Sequence, residues 1–297
     1  MKLNIIKSRV IWYAFSGVLV GGSILLLAIF GLKQGIDFTG GTQLELRFEK
    51  RPSVVDAEKT VAALNLGSVT IQPVGEADMS FRLRTLEPKE HDDIFSALKN
   101  TYGTTTELQY TAIGPAIGLE LRQKSTQALL IVFAAILAFI AYVFRRVSSP
   151  VKSWKYGLIV VLTSFHDVAV PIGLFVLLGR FHGVEIGTPF IAAILTIMGY
   201  SINDTIVVFD RIRENIQKTS GTFEEIVERS LKQTMLRSFY TSVTTLLTLT
   251  AVFVFGGDSI KEFALALIVG IATGTYSSIF IASPLLVTWY RFEQNRK

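Results

Sequence analysis

Long apolar runs alternate with short charged segments along the whole chain. Six runs reach the length of a membrane helix, over residues 11–32, 128–144, 156–179, 186–209, 239–257 and 263–290. A helix needs about 20 mostly apolar residues to cross the hydrocarbon core of a bilayer, and soluble domains rarely gather their apolar residues in this way. The pattern therefore predicts an all-α membrane bundle of six transmembrane helices.

The charges between the apolar runs predict how the helices are oriented. Lys and Arg are concentrated at one set of chain segments, which are the N-terminus, residues 145–155, residues 210–238 and residues 291–297. Connections rich in Lys and Arg stay in the cytoplasm. We therefore expect both termini in the cytoplasm of a multi-pass inner (plasma) membrane protein. Residues 1–32 supply the N-terminus and first helix, and residues 128–297 supply the other five helices, with 210–238 as a cytoplasmic loop.

The segment 33–127 has the patterns of a small soluble domain, and the orientation places it outside the cytoplasm. Apolar residues alternate over 41–48, as in a strand, whereas 53–65 and 87–102 have helical spacing. Further strands are predicted over 69–74, 79–84 and 104–112. The order predicts an inserted α+β domain with the ferredoxin-like βαββαβ plan.

The predicted cytoplasmic loop 210–238 contains a helical segment of its own. Thr222 and Glu225 have the spacing of a capping box, and an apolar stripe follows them. Two interpretations are open. The segment is either an interfacial helix on the inner membrane surface or a helix that packs against the rest of the protein.

Three ionisable residues lie inside or at the ends of predicted spans. Asp204 interrupts the fourth span, Asp167 lies near the middle of the third, and Arg237 precedes the fifth. A carboxylate in a membrane helix costs several kcal/mol unless it is paired or hydrated, so such residues often mark an ion pathway. The functional interpretation is a proton relay formed by Asp204, Arg237 and Asp167, in which Asp204 alternates between a protonated form and an ion pair with Arg237. The alternative is a static ion pair that fixes helix packing.

Other polar residues of the spans have two interpretations each. His166 is either a second titrating group or a buried, hydrogen-bonded histidine. Thr241 and Thr245 share one face of the fifth span, where their hydroxyls suit either a hydrated path or interhelical packing. Counting residues places Asp204 roughly 10 Å nearer the cytoplasm than the centre of its span. Asp167 and Asp204 therefore differ in expected depth by too much to share a proton. This argues against an aspartyl protease, in which two carboxyl groups do share one.

Composition and motifs argue against several function classes. The net charge is only +5, and no basic stripe interleaved with aromatic residues is present, which argues against nucleic acid as a partner. The chain has no cysteine, so thiolate metal sites and disulfides are excluded. Adjacent His166 and Asp167 should point to different faces of a helix, so we predict no metal site. No phosphate-binding loop or nucleophile elbow is present, and we predict no enzymatic activity and no cofactor.

Several sequence motifs occur together and in order along almost the whole chain. They are GIDFTGGT at 35–42, IGPAIGLEL at 113–121, His166 with Asp167, GYSINDTIVVFDRIREN at 199–215, RSFYTSVTT at 237–245, the segment 255–274 and TYSSIFIASP at 275–284. In these motifs the chain resembles the SecF subunits of the SecD/SecF family, part of the bacterial Sec protein-export apparatus and related to the RND transporters. The resemblance implies six spans and a ferredoxin-like outside domain. It also implies that Asp204 and Arg237 take part in proton transport, with Asn203 of the same motif as support.

The resemblance also implies a function and partners. The expected function is to assist late preprotein translocation with SecD, using the proton motive force, and the expected partners are SecD, the SecYEG channel, unfolded preprotein, the lipid bilayer and protons or sodium ions. An RND-type exporter of small molecules or lipids is the alternative, although such exporters usually have larger outside domains. A scaffold that conducts no protons is a third possibility.

A glycine-rich connection follows the first span. Gly35, Gly40 and Gly41 suit a hinge through which the outside domain tilts when Asp204 changes its protonation state. The alternative is a stiff glycine turn that only starts the first strand.

Overall fold

The computed structural model describes residues 4–145 and 151–296. Part of the predicted connection 145–155 therefore lies outside the described residues. The chain divides into two compact units, described separately below. One consists of 1–32, 128–181 and 189–297, and the other of 33–127 with 182–188.

The first unit is helical. Its helices, named with those of the second unit in chain order, are α1 (Arg9–Phe30), α5 (Pro115–Val143, which begins in the second unit), α6 (Ser153–His182), α7 (Thr188–Lys218), α8 (Phe223–Phe255), α9 (Asp258–Ser277) and α10 (Ser283–Gln294). A π-helical turn, Ser278–Ala282, joins α9 to α10. Within the described residues, six segments are long and apolar enough to cross a membrane, with α9 and α10 counted as one. The six predicted apolar helices are thus confirmed.

The helices near the predicted loop 210–238 are longer than the hydropathy pattern indicated. Helix α7 continues to Lys218, and α8 runs without a break from Phe223 into the apolar part of the fifth span. The predicted capping box is present, because Thr222 Oγ1 accepts from the Glu225 backbone N–H and the Glu225 carboxylate accepts from that of Thr222. The connection is therefore a short turn between two helices, and the expectation of a long loop with a separate helix is corrected.

The apolar stripe after this cap is buried. Phe223, Ile226, Val227 and Leu231 are all at most 7% exposed. Burial of this face supports the packing interpretation of the segment.

The second unit contains a four-stranded antiparallel sheet. Its strands are β1 (Gly41–Phe48), β2 (Thr70–Val74), β3 (Asp78–Leu83) and β4 (Thr105–Ile113), in the order β2-β3-β1-β4. Its helices are α2 (Ile36–Thr39), α3 (Val54–Ala62) and α4 (Pro88–Tyr102). Apolar residues of β1 and β3 alternate with polar ones and pack on α3 and α4, which gives this unit a core of its own.

Candidate functional site

Asp167 is fully buried at a point where three helices of the first unit meet. It lies on α6, and its Oδ2 accepts hydrogen bonds from the hydroxyls of Ser201 on α7 and Ser277 on α9, the latter at 2.7 Å. Its Oδ1 lies 2.9 Å from Nδ1 of His166. A buried carboxylate needs such partners, because water cannot reach it.

Glycines of α9 allow the close helix contact that brings Ser201 to this cluster. A Cβ atom at Gly274 would lie 2.9 Å from Cβ of Ser201, and one at Gly270 would overlap the Ile197 side chain. Gly17 and Gly21 on α1 have the same GxxxG spacing, but a Cβ atom at either position would meet no neighbour within 4 Å in the part of the chain that the structure describes. Small residues let two helix backbones approach in this way, so the α9 pair positions the serines around Asp167.

His166 is hydrogen-bonded and buried, at 6% exposure. Its contact with Asp167 corrects the expectation that adjacent side chains point to different faces, because the imidazole is long enough to turn back to the neighbouring carboxylate. Among the described residues, Nε2 of His166 has no hydrogen-bond partner. The ring lies 6.2 Å from that of Tyr276, measured between centroids.

Asp204 is buried but has fewer partners than Asp167. It is 5% exposed, and its Oδ1 accepts one hydrogen bond from the Ser238 hydroxyl at 3.2 Å. In the part of the chain that the structure describes, its Oδ2 has no hydrogen-bond partner. Arg237 is near enough to interact electrostatically with Asp204, but it is exposed. Alternation between protonation and pairing with Arg237 stays a prediction.

The two aspartates lie closer in depth than residue counting indicated. Ser201, which donates to Asp167, lies one helical turn before Asp204 on α7, or about 4.5 Å along the axis. The expected separation of roughly 10 Å assumed that each span is centred in the membrane, whereas α7 extends well beyond its apolar run. The structure therefore places the Asp167 carboxylate of α6 against α7 about one helical turn away from Asp204.

The remaining predicted path residues are peripheral in this chain. Asn203 and Thr241 are exposed. The Thr241 hydroxyl donates to the Arg237 carbonyl of its own helix, and that of Thr245 donates to the Thr241 carbonyl and lies 3.3 Å from the hydroxyl of Tyr200. These hydroxyls thus satisfy backbone carbonyls, and their role in a hydrated path stays a prediction.

The predicted hinge glycines lie in the second unit, in tightly packed places. A Cβ at Gly40 would come within 2.8 Å of Cα of Pro115, and one at Gly41 within 2.6 Å of the Leu83 carbonyl oxygen. Gly40 and Gly41 also have positive φ, at 73° and 138°. A Cβ at Gly35 would lie 3.2 Å from the Ile186 carbonyl oxygen. Close backbone approach explains all three glycines, and their action as a hinge stays a prediction.

Sequence reasoning missed the hydroxyl partners of the two aspartates. Ser201, Ser238 and Ser277 are each at most 2% exposed and carry the hydrogen bonds described above. Serine is common in membrane helices as a packing residue, so only their positions within the motifs at 199–215, 237–245 and 275–284 could have singled them out. The described residues contain no group of three or more His, Cys, Asp or Glu side chains that could hold a metal ion.

Comparison with known proteins identifies the family. Residues 93–292 match the family model for the C-terminal part of the protein-export membrane proteins SecD and SecF, and residues 19–50 match the SecD/SecF GG motif. The chain belongs to the SecD/SecF family. Asp167, Asp204 and Arg237 lie within the first match, and the three predicted hinge glycines lie within the second.

Curated members of the SecD/SecF family resemble the chain over nearly its full length. The protein translocase subunit SecF of Thermobaculum terrenum is 40% identical and covers 97% of this chain and 94% of its own length. The SecF subunit of Sebaldella termitidis is 38% identical, with 100% and 95% covered. The chain is therefore a multi-pass membrane protein of this family and similar to its SecF subunits.

Solved structures of SecDF resemble this SecD/SecF-family chain in three dimensions. The crystal structure of SecDF from Thermus thermophilus, described as a translocon-associated membrane protein, matches with a TM-score of 0.87 at 35% identity. It covers 98% of this chain, which spans 39% of that longer chain. A second SecDF structure, in a super-membrane-facing form, matches with a TM-score of 0.71 at 33% identity.

Proposed function

We propose that this chain is the SecF-type subunit of a Sec translocase and that, with a SecD partner, it uses an ion gradient to assist late preprotein translocation. Its similarity over nearly the whole length to SecF subunits supports a role in Sec-associated protein export. Its similarity to part of a longer SecDF chain supports SecD as the partner. Contacts with the SecYEG channel and with unfolded preprotein belong to the same proposal, as does the absence of a catalytic reaction.

The observation that carries the coupling step is the uneven environment of Asp204. One carboxylate oxygen accepts from Ser238, while the other is buried without a partner among the described residues. A buried carboxylate with an open acceptor position can take up a proton there and avoid the cost of an unpaired charge in the membrane. In our proposal, Oδ2 of Asp204 is the atom that binds and releases the transported proton.

Arg237 supplies the alternative state of the relay. It lies on the helix that also presents Ser238, and its charge acts on Asp204 from nearby. When Asp204 loses its proton, attraction to the guanidinium replaces the proton as the stabilising interaction. Asp167 and His166 belong to the proposed relay as a second buried pair one helical turn away. We place the SecD partner at the exposed part of α8 that contains Arg237 and Thr241.

The membrane potential supplies enough energy for such a step. Moving one unit charge through 100 mV releases about 2.3 kcal/mol, which biases a two-state equilibrium about fiftyfold. We propose that this bias moves the outside domain relative to the membrane.

We also infer that this domain has the ferredoxin-like plan, which its βαββαβ element order supports. The domain faces away from the cytoplasm in this proposal, and both termini face the cytoplasm.

The test is the rate of precursor maturation in proteoliposomes that contain this chain, SecD and the channel. We expect the variant Asp204→Asn to lose all stimulation by an imposed proton gradient, because asparagine keeps the shape but cannot exchange a proton. The control is Asp210→Asn, an exposed carboxylate farther along α7 that pairs with Arg213, and it should behave as wild type.

Two results would contradict parts of the proposal. Wild-type stimulation in Asp204→Asn would remove Asp204 from the relay. Stimulation by a sodium gradient but not by a proton gradient would keep the site and change the ion that it couples to.

A further inference from the structure

The short connection between α6 and α7 is built into the second unit. Residues 182–188, here called the strap, cluster with the outside domain and not with the helices that they join. The backbone N–H of Ile186 donates to the carbonyl of Lys33 at 2.8 Å, and that of Gly35 donates to the carbonyl of Ile186 at 2.9 Å. Around Gln34 and Ile186 these contacts form a parallel β-bridge.

Glu185 adds an ion-pair clamp to these backbone contacts. Its Oε1 lies 3.1 Å from Nζ of Lys33, and its Oε2 lies 3.0 Å from a guanidinium nitrogen of Arg82 on β3. The Glu185 and Arg82 side chains are only 11% and 19% exposed. Ion pairs at that degree of burial are screened less by salt than those on an open surface. The carboxylate therefore links the strap both to the chain just before α2 and to the central part of the sheet.

A third contact reaches the first residue of α7. Oδ2 of Asp37 accepts from the backbone N–H of Thr188 at 2.6 Å and from its hydroxyl at 2.8 Å. The first N–H groups of a helix have no partner inside it, and a negative charge at that end is favourable. Asp37 is part of the motif at 35–42 and is held in α2, so this motif supplies the cap of a membrane helix that follows much later in the chain.

We propose that Glu185 and Asp37 form a latch that couples the outside domain to the start of α7, the helix that carries Asp204. The inference rests on the proposed function, because it states how a change at Asp204 reaches the domain. A domain joined only by its two ends could tilt at the glycines of 35–41 without moving α7. With the strap attached, the domain and the first turn of α7 move together. Glu185 and Asp37 are thus positioning residues for energy coupling.

The latch is tested in the full chain, reconstituted with SecD and the channel, with the variant Glu185→Gln. Its matched control is Glu58→Gln, the same change at an exposed position on α3 of the same domain. We expect amide hydrogen exchange at Gly35 and Ile186 to be about tenfold faster in Glu185→Gln, which corresponds to about 1.4 kcal/mol of local stability. Gradient-stimulated precursor maturation should fall severalfold, while binding to SecD stays unchanged. Glu58→Gln should change neither quantity.

Each outcome separates the latch from the proton site. Unchanged exchange in Glu185→Gln would show that the ion pairs do not hold the strap. Faster exchange with normal maturation would show that the strap is only structural, and either result overturns the inference while leaving the role of Asp204 intact. Failure of the proposed function would be seen in a different variant. It would appear as wild-type stimulation in Asp204→Asn, with amide exchange in the strap unchanged from wild type. If Glu185→Gln does not assemble, Arg82→Gln removes one of the two cations and carries the same expectations.

Discussion

Asp167 and Asp204 are both buried carboxylates in the helical unit, but the protein surrounds them differently. Asp167 has hydrogen-bonding partners at both oxygens, drawn from three helices. Within the described ranges 4–145 and 151–296, Asp204 has one hydroxyl partner and one open oxygen. Hydrogen bonds to a charged group contribute more than neutral ones, and a lost partner leaves a costly buried group. The comparison supports the proposal that Asp204 is the primary site of proton exchange in the relay, and it predicts that Asp167, the second member, contributes more to helix packing.

Removing each carboxylate gives the largest expected effect. Asp167→Ala should lower the free energy of unfolding by about 3 kcal/mol, because two serines and a histidine lose their partner, whereas Asp204→Ala should cost about 1 kcal/mol. The measurement is the midpoint of unfolding of the purified chain in detergent as SDS is added. Equal losses for the two variants would contradict the structural difference between the sites.

The second largest loss of stability is expected at the contact between Gly274 of α9 and Ser201 of α7, next to Asp167. Gly274→Leu should destabilise the bundle by about 2 kcal/mol, because the side chain has to enter the space that Ser201 occupies. At Gly21, with the same GxxxG spacing on α1, a Cβ atom would meet no atom of the described residues within 4 Å, so Gly21→Leu should leave the SDS midpoint unchanged. A similar loss in both variants would mean that the α9 glycines do not specifically support the Asp167 cluster.

Removing the Ser238 hydroxyl that donates to Asp204 should have a smaller effect. Ser238→Ala removes one hydrogen bond to Asp204 and should cost about 1 kcal/mol. Gradient-stimulated precursor maturation should fall in part, and less than in Asp204→Asn, because the carboxylate that exchanges the proton remains. Full loss of stimulation in Ser238→Ala would identify the hydroxyl as an obligatory member of the relay and not only a support.

The smallest effect is expected at Glu90, a carboxylate of the second unit that can be compared with the two buried aspartates. Hydrogen bonds from Arg84 hold the pKa of Glu90 at about 2, below the usual value of about 4.3. Since the folded pKa is the lower one, the stabilisation is complete above about pH 4.3 and is lost as the pH falls through 2. The near-UV circular dichroism of the isolated domain should show a slightly flatter acid transition in Glu90→Gln than in Glu58→Gln. Identical transitions would show that this surface pair contributes nothing.

Local patterns were enough to predict much of the fold. The six apolar helices follow from composition alone, and the strand at 41–48 follows from alternation, with the bounds that β1 has in the structure. The capping box at Thr222 was visible because its two side chains lie three residues apart. What hydropathy could not show is that α7 and α8 continue beyond their apolar parts, since a helix can leave the membrane without ending.

Only the charged residues of the candidate site could be predicted from the sequence. A carboxylate in an apolar run is conspicuous, so Asp167 and Asp204 could be chosen without a structure. Their hydrogen-bonding partners depend on which face of a distant helix packs against them. On α8, a difference of one position in the sequence separates the face that packs against Asp204 from the exposed face. There Ser238 is buried against Asp204 while its neighbour Arg237 is exposed. The strap was missed for the same reason, because Glu185 pairs with Lys33 and Arg82, far away in sequence.

The π-helical turn Ser278–Ala282 is a place where the last membrane segment can change its length by one residue. Such a turn accommodates one extra residue by widening the helix locally, so α9 and α10 keep nearly the faces that they would have in a continuous α-helix. Deleting one residue of the turn should therefore restore regular α-helix and leave Ser277 facing Asp167. A single deletion far from the turn would instead rotate the residues before it by about 100° relative to α10. Changes in length by one residue should therefore be better tolerated at this turn than elsewhere in the segment.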